Sequence, residues 1–261
     1  MADFETRFNG IARLFGTDGL RSLRRAHVCV VGIGGVGSWA VEALARSGVG
    51  ALTLVDLDDV CVSNVNRQIH ALNGNVGRAK VEVMAERVRA INPDCRVGAR
   101  MEFFTESTAD ALLDKGFSHV IDAIDGVTNK TLLLARCVGN DIPVIACGAA
   151  GGRRDATALR IADLSAVSND RLLSEVRRRL RKEHGFPAHG KEMGVDCVYS
   201  PEPPVFPQKD GSVCAARPAT EEREGSRLNC DWGLGSATFV TGAFGFAAAG
   251  YVVEKIAGAG A

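Results

Sequence analysis

A glycine-rich turn between a buried strand and a helix is the feature that most constrains this fold. The apolar run 27–31 leads into Gly32-x-Gly34-x-x-Gly37, with a further glycine at Gly35, and a helix is predicted over 39–46. A parallel strand that is buried on both faces has such a continuous apolar run. Glycines at this spacing let the backbone turn tightly and approach a phosphate, which then lies at the positive end of the helix. The pattern therefore predicts a nucleotide-binding unit.

Strands and helices alternate through the first 150 residues. The predicted strands are 27–31, 52–55, 95–99, 119–122 and 144–147, and the helices between them are 39–46, 80–92 and 130–138. This alternation predicts an α/β fold with a Rossmann-like, doubly wound and mostly parallel sheet.

The two ends of the chain differ from this regular part. Residues 1–26 are predicted to be helical. After residue 152 the pattern changes to a strand at 157–161, a basic helix at 170–183, a proline-rich loop at 201–218 and a helix of small residues. We expect one domain over 1–261, with a nucleotide-binding half at 1–150 and a C-terminal elaboration at 151–261.

Charge and cysteine content exclude several classes of protein. Thirty-one basic and 31 acidic residues give no net charge, so any contact with nucleic acid must come from a local patch. The N-terminal residues lack the basic flank and apolar run of a signal peptide, so none is expected. The eight cysteines include no C-x-x-C pair. Scattered thiols of this kind are typical of a reducing compartment, which predicts a cytoplasmic protein.

One uncharged stretch bears on the membrane question. From Trp232 to Val253 no residue carries a charge, and about 17–25 apolar residues suffice to span a bilayer. The stretch is interrupted by five glycines, two threonines and a serine, however, which makes it only weakly apolar. A core helix packed through small residues is therefore favoured over membrane association.

Three charged residues beyond the glycine turn narrow the choice of ligand. Asp56 ends the second predicted strand about twenty residues after the turn, where a carboxylate accepts hydrogen bonds from a ribose. Taken alone, this leaves NAD, FAD or ATP open, and also a tight turn with no ligand. Arg67 and Lys80 follow, either as a surface pair or as phosphate ligands. An enzyme that splits ATP at the α-phosphate needs such groups, because charge develops as pyrophosphate leaves.

Two aspartates come at the end of the fourth predicted strand. Ligands of doubly wound sheets bind at the carboxyl ends of the strands, where Asp122 and Asp125 are expected to lie. Mg²⁺ prefers carboxylate oxygens, so Asp125 is predicted to hold the magnesium of ATP. Asp122 is expected either to cap the turn or to support that site.

This series of residues resembles the ThiF/MoeB adenylating superfamily, relatives of the ubiquitin-activating enzymes. The resemblance implies adenylation of a carboxylate with ATP and Mg²⁺ by a homodimer. It implies that Asp56 binds the ribose, that Arg67 and Lys80 bind phosphates and that Asp125 binds the metal. Supporting nucleotide contacts are implied for Gly32, Gly34, Gly35, Gly37, Asp58, Asn64 and Gln68. An N-terminal arginine is also expected to reach the ATP of the partner subunit, with Arg7 and Arg13 both eligible and Arg13 counted among the catalytic residues.

Longer segments of the sequence are similar to the branch of this superfamily that acts on tRNA. They lie at 58–62, 66–72 and 194–198, and the likeness extends over nearly the whole chain. It implies that the threonyl carboxylate of a threonylcarbamoyl-modified adenosine beside the anticodon is adenylated. The carbamoyl group then closes a ring and AMP leaves. The expected partner is therefore tRNA, with 151–261 forming the substrate and dimer half.

Other functions remain as alternatives. Sulfur-carrier adenylyltransferases often bind a structural zinc through two C-x-x-C pairs. This sequence has no such pair, so we expect no zinc and consider that function less favoured. Such an enzyme would activate the C-terminus of a ubiquitin-like sulfur carrier. A nucleotide-binding sensor without turnover, serving cysteine-desulfurase sulfur-relay proteins, is a second alternative. An NAD dehydrogenase is the most distant one.

Two cysteines and one basic segment have no settled role in the sequence. A thioester-forming cysteine is common in the ubiquitin-activating branch, and Cys197 and Cys230 lie in regions compatible with one, although inert buried thiols would fit as well. The segment 177–182 holds five positive charges in six residues. Such a face either binds tRNA phosphates or is simply solvated.

Overall fold

The structure is a computed structural model that describes residues 2–114, 116–208, 210–215 and 234–258. Seven α-helices are described: α1 (Ala2–Arg25), α2 (Gly37–Arg46), α3 (Lys80–Ile91), α4 (Ala109–Leu113), α5 (Val127–Gly139), α6 (Arg171–Glu183) and α7 (Thr238–Gly258). A short 3-10 helix also spans Val62–Asn64. Nine strands accompany them: β1 (His27–Val31), β2 (Ala51–Val55), β3 (Arg96–Arg100), β4 (His119–Asp122), β5 (Val144–Cys147), β6 (Arg160–Asp163), β7 (Asp196–Tyr199), β8 (Phe206–Pro207) and β9 (Val213–Cys214). These counts refer to the described residues.

The predicted Rossmann-like sheet is confirmed. Seven strands lie in the order β3-β2-β1-β4-β5-β7-β6, and every neighbouring pair is parallel except β7 with β6. The strand order reverses at β1, because β2 and β3 lie on one side of it and β4 and β5 on the other. Doubly wound sheets bind their ligands at such a switch point.

Helices cover both faces of this sheet. Alternate residues of β1 enter different cores, since Val28 and Val30 pack with α1, α2, α3 and α7, whereas Cys29 and Val31 pack with α4, α5 and α6. This is the two-residue period of a strand that is buried on both sides. The glycine turn therefore leaves the centre of a sheet whose position is fixed from above and below.

The C-terminal part joins the same sheet through a strand that the sequence analysis missed. Strand β7 inserts between β5 and β6, and the predicted strand at 157–161 begins only at Arg160. Four residues with partners far away in the sequence offer no detectable periodicity, which explains the omission. Helix α4 and the short β8–β9 hairpin within the proline-rich stretch were also not predicted.

Helix α1 is divided by a glycine. Gly16 has φ +73°, a left-handed conformation that favours glycine, and two helical segments meet there. The segment before it packs Phe4 and Phe8 with Leu20 in a small separate cluster. The helix predicted over 1–26 is therefore present but bent.

Helix α7 is a core element. It packs along α2 and α1, and Val240, Phe244 and Val252 are fully buried among their side chains. A Cβ atom on Gly245 would lie 2.5 Å from the carbonyl oxygen of Val36, so the two backbones touch at the start of α2. By length and composition α7 could cross a membrane, but half of its most apolar stretch is buried in the fold. Trp232, where the uncharged stretch begins, lies outside the described residues.

Candidate functional site

The glycine turn has no space for side chains at two of its positions. A Cβ on Gly37 would lie 1.8 Å from the carbonyl oxygen of Gly32, and a Cβ on Gly32 would lie 2.7 Å from that of Ala123. Gly32 also has φ +91°. The tight fit draws the start of α2 against the end of β1. This is the cradle that a phosphate at a helix N-terminus requires.

Gly34 and Gly35 lie on the more open side of the same turn. The nearest atom to a Cβ on Gly34 would be Gln68 Nε2 at 3.9 Å. A Cβ on Gly35 would contact Thr241 of α7 at 3.2 Å and Arg67 at 3.5 Å. The structure thus brings the glycine turn, the 61–68 segment and α7 together.

Asp56 ends β2 directly beside the turn. Its carboxylate accepts hydrogen bonds from the backbone N–H of Ile33 at 2.6 Å and of Asp58 at 2.9 Å. Burial raises the pKa of Asp56, although the positive charge of Lys80 opposes the shift. A carboxylate has about four acceptor sites, so two remain for the hydroxyls of a ribose.

Lys80 is the first residue of α3 and reaches Asp58. Its Nζ lies 2.7 Å from Asp58 Oδ2, and its backbone N–H donates to the Asp58 carbonyl at 3.0 Å. The Lys80 side chain is 7% exposed, whereas that of Asp58 is 58% exposed. Hydrogen bonds between Val60 and both Arg78 and Gly77 hold this loop against the start of α3.

Arg67 is fixed through its backbone and leaves part of its guanidinium uncommitted. Its carbonyl oxygen accepts from Trp39 Nε1 at 3.0 Å, and its Nη1 donates to the Ser63 carbonyl at 2.7 Å and to Asn66 Oδ1 at 3.1 Å. Guanidinium carries five N–H donors in a planar fork. Donors therefore remain for a phosphate.

Asn64 and Gln68 are both buried beside Arg67. Asn64 Oδ1 accepts the backbone N–H of Cys61 at 2.9 Å, which fixes the start of this segment. Gln68 Oε1 has no hydrogen-bond partner among the described residues. A buried acceptor without a partner is costly, and a bound nucleotide would satisfy it.

Asp125 follows β4 and is exposed. No cluster of three or more metal-binding side chains occurs among the described residues, and none of their hydrogen bonds or ion pairs involves the Asp125 carboxylate. Protein-bound Mg²⁺ typically takes one or two carboxylates and the phosphates of its nucleotide. A lone, accessible carboxylate at this edge of the sheet fits that kind of site.

The partner of Asp122 was not predicted from the sequence. Lys130, which was predicted only as part of a helix, lies with its Nζ 3.0 Å from Asp122 Oδ1, and both side chains are 0% exposed. Burial raises the pKa of Asp122, and the charge of Lys130 opposes the shift. A signal was present, because Lys130 shares a helical stripe with the buried residues Leu133, Leu134 and Cys137. A lysine on an apolar stripe implies a buried partner.

Arg153 was also missed. It follows the glycine-rich loop after β5, is almost fully buried and donates from Nη2 to the Asn169 carbonyl at 2.7 Å. Burial lowers the pKa of Arg153, against the charges of Asp170 and Glu202. A cation next to five residues of mostly glycine and alanine was the available signal.

The two N-terminal arginines differ in their contacts. Arg7 pairs with Asp3 at 2.8 Å and donates to the Ile91 carbonyl at 3.5 Å. Arg13 is exposed, and none of the hydrogen bonds or ion pairs among the described residues involves it. Neither residue joins the nucleotide site of its own chain through any described contact, and their role across a dimer stays a prediction.

The basic face of α6 is largely committed within the chain. Arg177 donates to the carbonyls of Leu164 at 2.9 Å and Val167 at 2.8 Å. Arg178 and Arg179 both bond Glu175. These contacts reduce the number of cations that are free to meet tRNA.

Cys197 is fully buried in β7. Burial raises the pKa of its thiol well above the ordinary value. Thioester chemistry needs a reachable thiolate, so the structure favours an inert core thiol. Cys230 lies outside the described residues.

Known proteins resemble the chain over nearly its whole length. It is 50% identical over 251 residues to a tRNA threonylcarbamoyladenosine dehydratase of Escherichia coli, covering 96% of this chain and 93% of that protein. It is 46% identical over 255 residues to the Haemophilus influenzae protein of the same name, covering 97% and 94%.

Solved structures and a family profile agree with these relatives. The crystal structure of the E. coli tRNA N6-threonylcarbamoyladenosine dehydratase in complex with ATP superimposes with a TM-score of 0.86 at 45% identity, covering 98% of this chain and 96% of that one. The profile of the ThiF family matches residues 8–260. The fold and the geometry of the glycine turn agree with these matches, and the chain belongs to the ThiF family.

Proposed function

We propose that this chain is an ATP-dependent tRNA threonylcarbamoyladenosine dehydratase. The observation that carries the proposal is the 50% identity to a dehydratase over nearly the full length of both chains. The threonyl carboxylate attacks the α-phosphate of ATP and pyrophosphate leaves, as in ligase-type enzymes. The carbamoyl group then closes onto the activated carbonyl and AMP leaves. The nucleoside thereby loses the elements of one water molecule.

Several of the predicted site residues have a part in this reaction. The glycine turn and the N-terminus of α2 hold phosphate, and Asp56 accepts from the ribose. Lys80 exchanges the exposed carboxylate of Asp58 for the phosphates, and the free donors of Arg67 join it. Asp125 holds Mg²⁺, which neutralises charge on the phosphates when it is bound.

We also propose a cytoplasmic homodimer in which Arg13 reaches the ATP site of the other subunit. The support is that Arg7 is already paired with Asp3, whereas Arg13 is exposed and has no described contact. In this arrangement 1–150 forms the nucleotide half, and 151–261 contributes to tRNA binding and the dimer. Contacts with cysteine-desulfurase sulfur-relay proteins belong to the same proposal.

Mass spectrometry of nucleosides tests the reaction. The protein is incubated with ATP, Mg²⁺ and tRNA that carries threonylcarbamoyladenosine, and the tRNA is then digested. We expect an ATP-dependent loss of one water from that nucleoside. An unchanged nucleoside, together with pyrophosphate exchange that depends on a ubiquitin-like sulfur carrier, would replace this proposal with the sulfur-carrier activity.

Replacing Asp125 tests the metal site. Asp125→Ala should lower turnover by about 100- to 1,000-fold, the usual cost of losing one group that stabilises the transition state. Its thermal stability should match that of the unmodified protein, because Asp125 is exposed and buries nothing. Asp110→Ala is the matched control, since Asp110 is also exposed and its carboxylate pairs, within the described part of the chain, with Arg136. Near-normal turnover of Asp125→Ala would remove Asp125 from the mechanism.

A further inference from the structure

The turn between β4 and Asp125 is held by a buried pair of charges. Lys130 Nζ contacts Asp122 Oδ1 at 3.0 Å and also donates to two backbone carbonyls, that of Ile124 at 2.9 Å and that of Asp122 at 3.3 Å. Asp122 Oδ1 in turn accepts the backbone N–H of Ile124 at 3.0 Å. Together the two charged groups therefore bind the backbone on either side of Ala123.

Stability alone is a poor explanation for this pair. Both side chains are 0% exposed, and burying two charges costs about as much as their attraction returns. Replacing a buried ion pair by apolar residues is often neutral or stabilising. Asp122 Oδ2 also has no hydrogen-bond partner in the described part of the chain, which adds to the cost.

The turn 122–124 contacts the glycine turn. Ala123 donates its N–H to the Val31 carbonyl at 2.9 Å, and its own carbonyl is the atom that a Cβ on Gly32 would strike. The Cβ of Ala123 would in turn lie 3.3 Å from a Cβ on Gly37. The position of Ala123 is thus set both by the Lys130–Asp122 pair and by the glycine turn.

Asp125 is the next residue but one and has no support of its own. Its carboxylate is exposed, and no hydrogen bond or ion pair of the described residues involves it. Its direction is therefore determined by the backbone that leads to it. Groups that hold a metal ligand in position typically change metal affinity or activity by about 10- to 100-fold when they are removed.

We propose that Lys130 and Asp122 are positioning residues that fix the turn 122–124, so that Asp125 points at the metal and at the phosphates held by the glycine turn. Neither residue touches a ligand, because both are fully buried. The proposal rests on the proposed function only for the assignment of Mg²⁺ to Asp125. It gives the buried charges a role beyond stability, because they bind three backbone groups of the turn.

Two double variants separate positioning from packing. Asp122→Asn with Lys130→Met removes both charges and keeps an acceptor for the Ile124 N–H. Asp122→Leu with Lys130→Met makes the pair wholly apolar, the kind of exchange that cores tolerate. The matched control is Glu42→Gln with Arg87→Met. It removes another buried carboxylate and one of its two arginine partners, with Arg87 Nε 2.6 Å from Glu42 Oε2, and leaves the more exposed partner Arg46 in place.

Metal binding is measured without tRNA and without turnover. Electron paramagnetic resonance titration with Mn²⁺, in the presence of an ATP analogue that cannot be cleaved at the α-phosphate, gives the metal affinity of each folded variant. We expect both Asp122/Lys130 variants to bind Mn²⁺ about 10- to 100-fold more weakly, and the control to stay within about threefold of the unmodified protein. Unchanged Mn²⁺ affinity in either folded Asp122/Lys130 variant would overturn the proposal.

Hydrogen exchange of the unmodified protein gives a second test that needs no variant. If the pair sets the turn in advance, the Ile124 amide is protected from exchange before nucleotide is added, and nucleotide with Mg²⁺ changes its rate little. Rapid exchange that slows only on nucleotide binding would mean that the ligand, not the pair, orders the turn. Both measurements stand apart from dehydration of tRNA, so a failure of the proposed function would appear separately, in the nucleoside assay.

Discussion

Two lysines at the carboxyl edge of the sheet form ion pairs that differ in their access to solvent. Lys80 is 7% exposed and pairs with Asp58, which is 58% exposed. Lys130 and Asp122 are both 0% exposed. The two distances are nearly the same, at 2.7 and 3.0 Å.

The difference in exposure determines what each lysine can do. Asp58 can be left to water, so Lys80 is able to give up its carboxylate for a phosphate at little cost. Lys130 cannot leave Asp122 without stranding a buried charge, so it acts only on the backbone around it. Similar short ion pairs thus leave Lys80 able to meet a phosphate, as proposed above, whereas they hold Lys130 in place.

The largest expected effect is on folding stability. Lys130→Met alone should lower the free energy of unfolding by about 3–5 kcal/mol, because Asp122 keeps a buried charge with no partner. Lys80→Met should lower it by less than about 1 kcal/mol, since Asp58 remains solvated. Urea unfolding of both variants at neutral pH measures the difference, and equal losses would show that exposure does not separate the pairs.

The pH dependence of that loss sharpens the comparison. Burial raises the pKa of Asp122, and removing Lys130 takes away a charge that opposes the shift. In Lys130→Met the folded state therefore binds a proton more tightly than the unfolded chain. Its stability should recover as the pH falls through the raised pKa of Asp122, because protonation removes the stranded charge. This account would be contradicted if the loss of stability in Lys130→Met stayed constant as the pH falls to the pKa of an aspartate in the unfolded chain.

A slightly smaller effect is expected on catalysis. Lys80→Met should lower turnover with ATP by about 100- to 1,000-fold, which corresponds to about 2.7–4 kcal/mol in the barrier. Asp58→Asn is the companion variant, because it removes the resting partner of Lys80 and leaves the lysine in place. Kinetics at saturating tRNA separate the two variants. A loss in Asp58→Asn as large as that in Lys80→Met would mean that the pair itself, and not the lysine, serves the reaction.

The smallest effect concerns a neighbouring histidine. His70 is buried, and burial first, then Lys80 and Arg87, lowers its pKa to about 4. Lys80→Met should raise this pKa, yet leave it below the ordinary value because burial remains. Since the unfolded chain binds the proton more tightly, stability falls as the pH drops from about 6.5 towards 4, and the variant should lose less over that range. Titration by NMR gives the pKa, and Lys130→Met should leave it unchanged.

The first half of the fold was predictable because its signals are local. Strands β1, β2, β4 and β5 are apolar runs, and the glycine turn marks the switch from strand to helix. Strand β7 was not predictable in the same way, because its place in the sheet depends on β5 and β6, which are remote in sequence. Short strands are recognised by their partners, and one sequence does not reveal these partners.

Sequence reasoning found residues whose positions suggest ligand contacts, and it missed residues whose interest depends on burial. Asp56, Lys80 and Asp125 follow strands or open a helix, positions that carry chemical meaning in themselves. Lys130 supports the turn from inside a helix, and its importance depends on burial and on Asp122. The same is true of Arg153, whose burial is a property of the assembled fold.

The packing of α7 has a consequence for how the protein is made. Helices α1 and α2 expose apolar faces until the last described helix covers them, and Gly245 lies directly against the start of α2. About 200 residues separate α2 from the end of α7, and ribosomes add about 5–20 residues per second. The nascent chain therefore carries an uncovered apolar surface beside its glycine turn for about 10–40 s. During that interval a chaperone has a binding surface that the finished protein no longer presents.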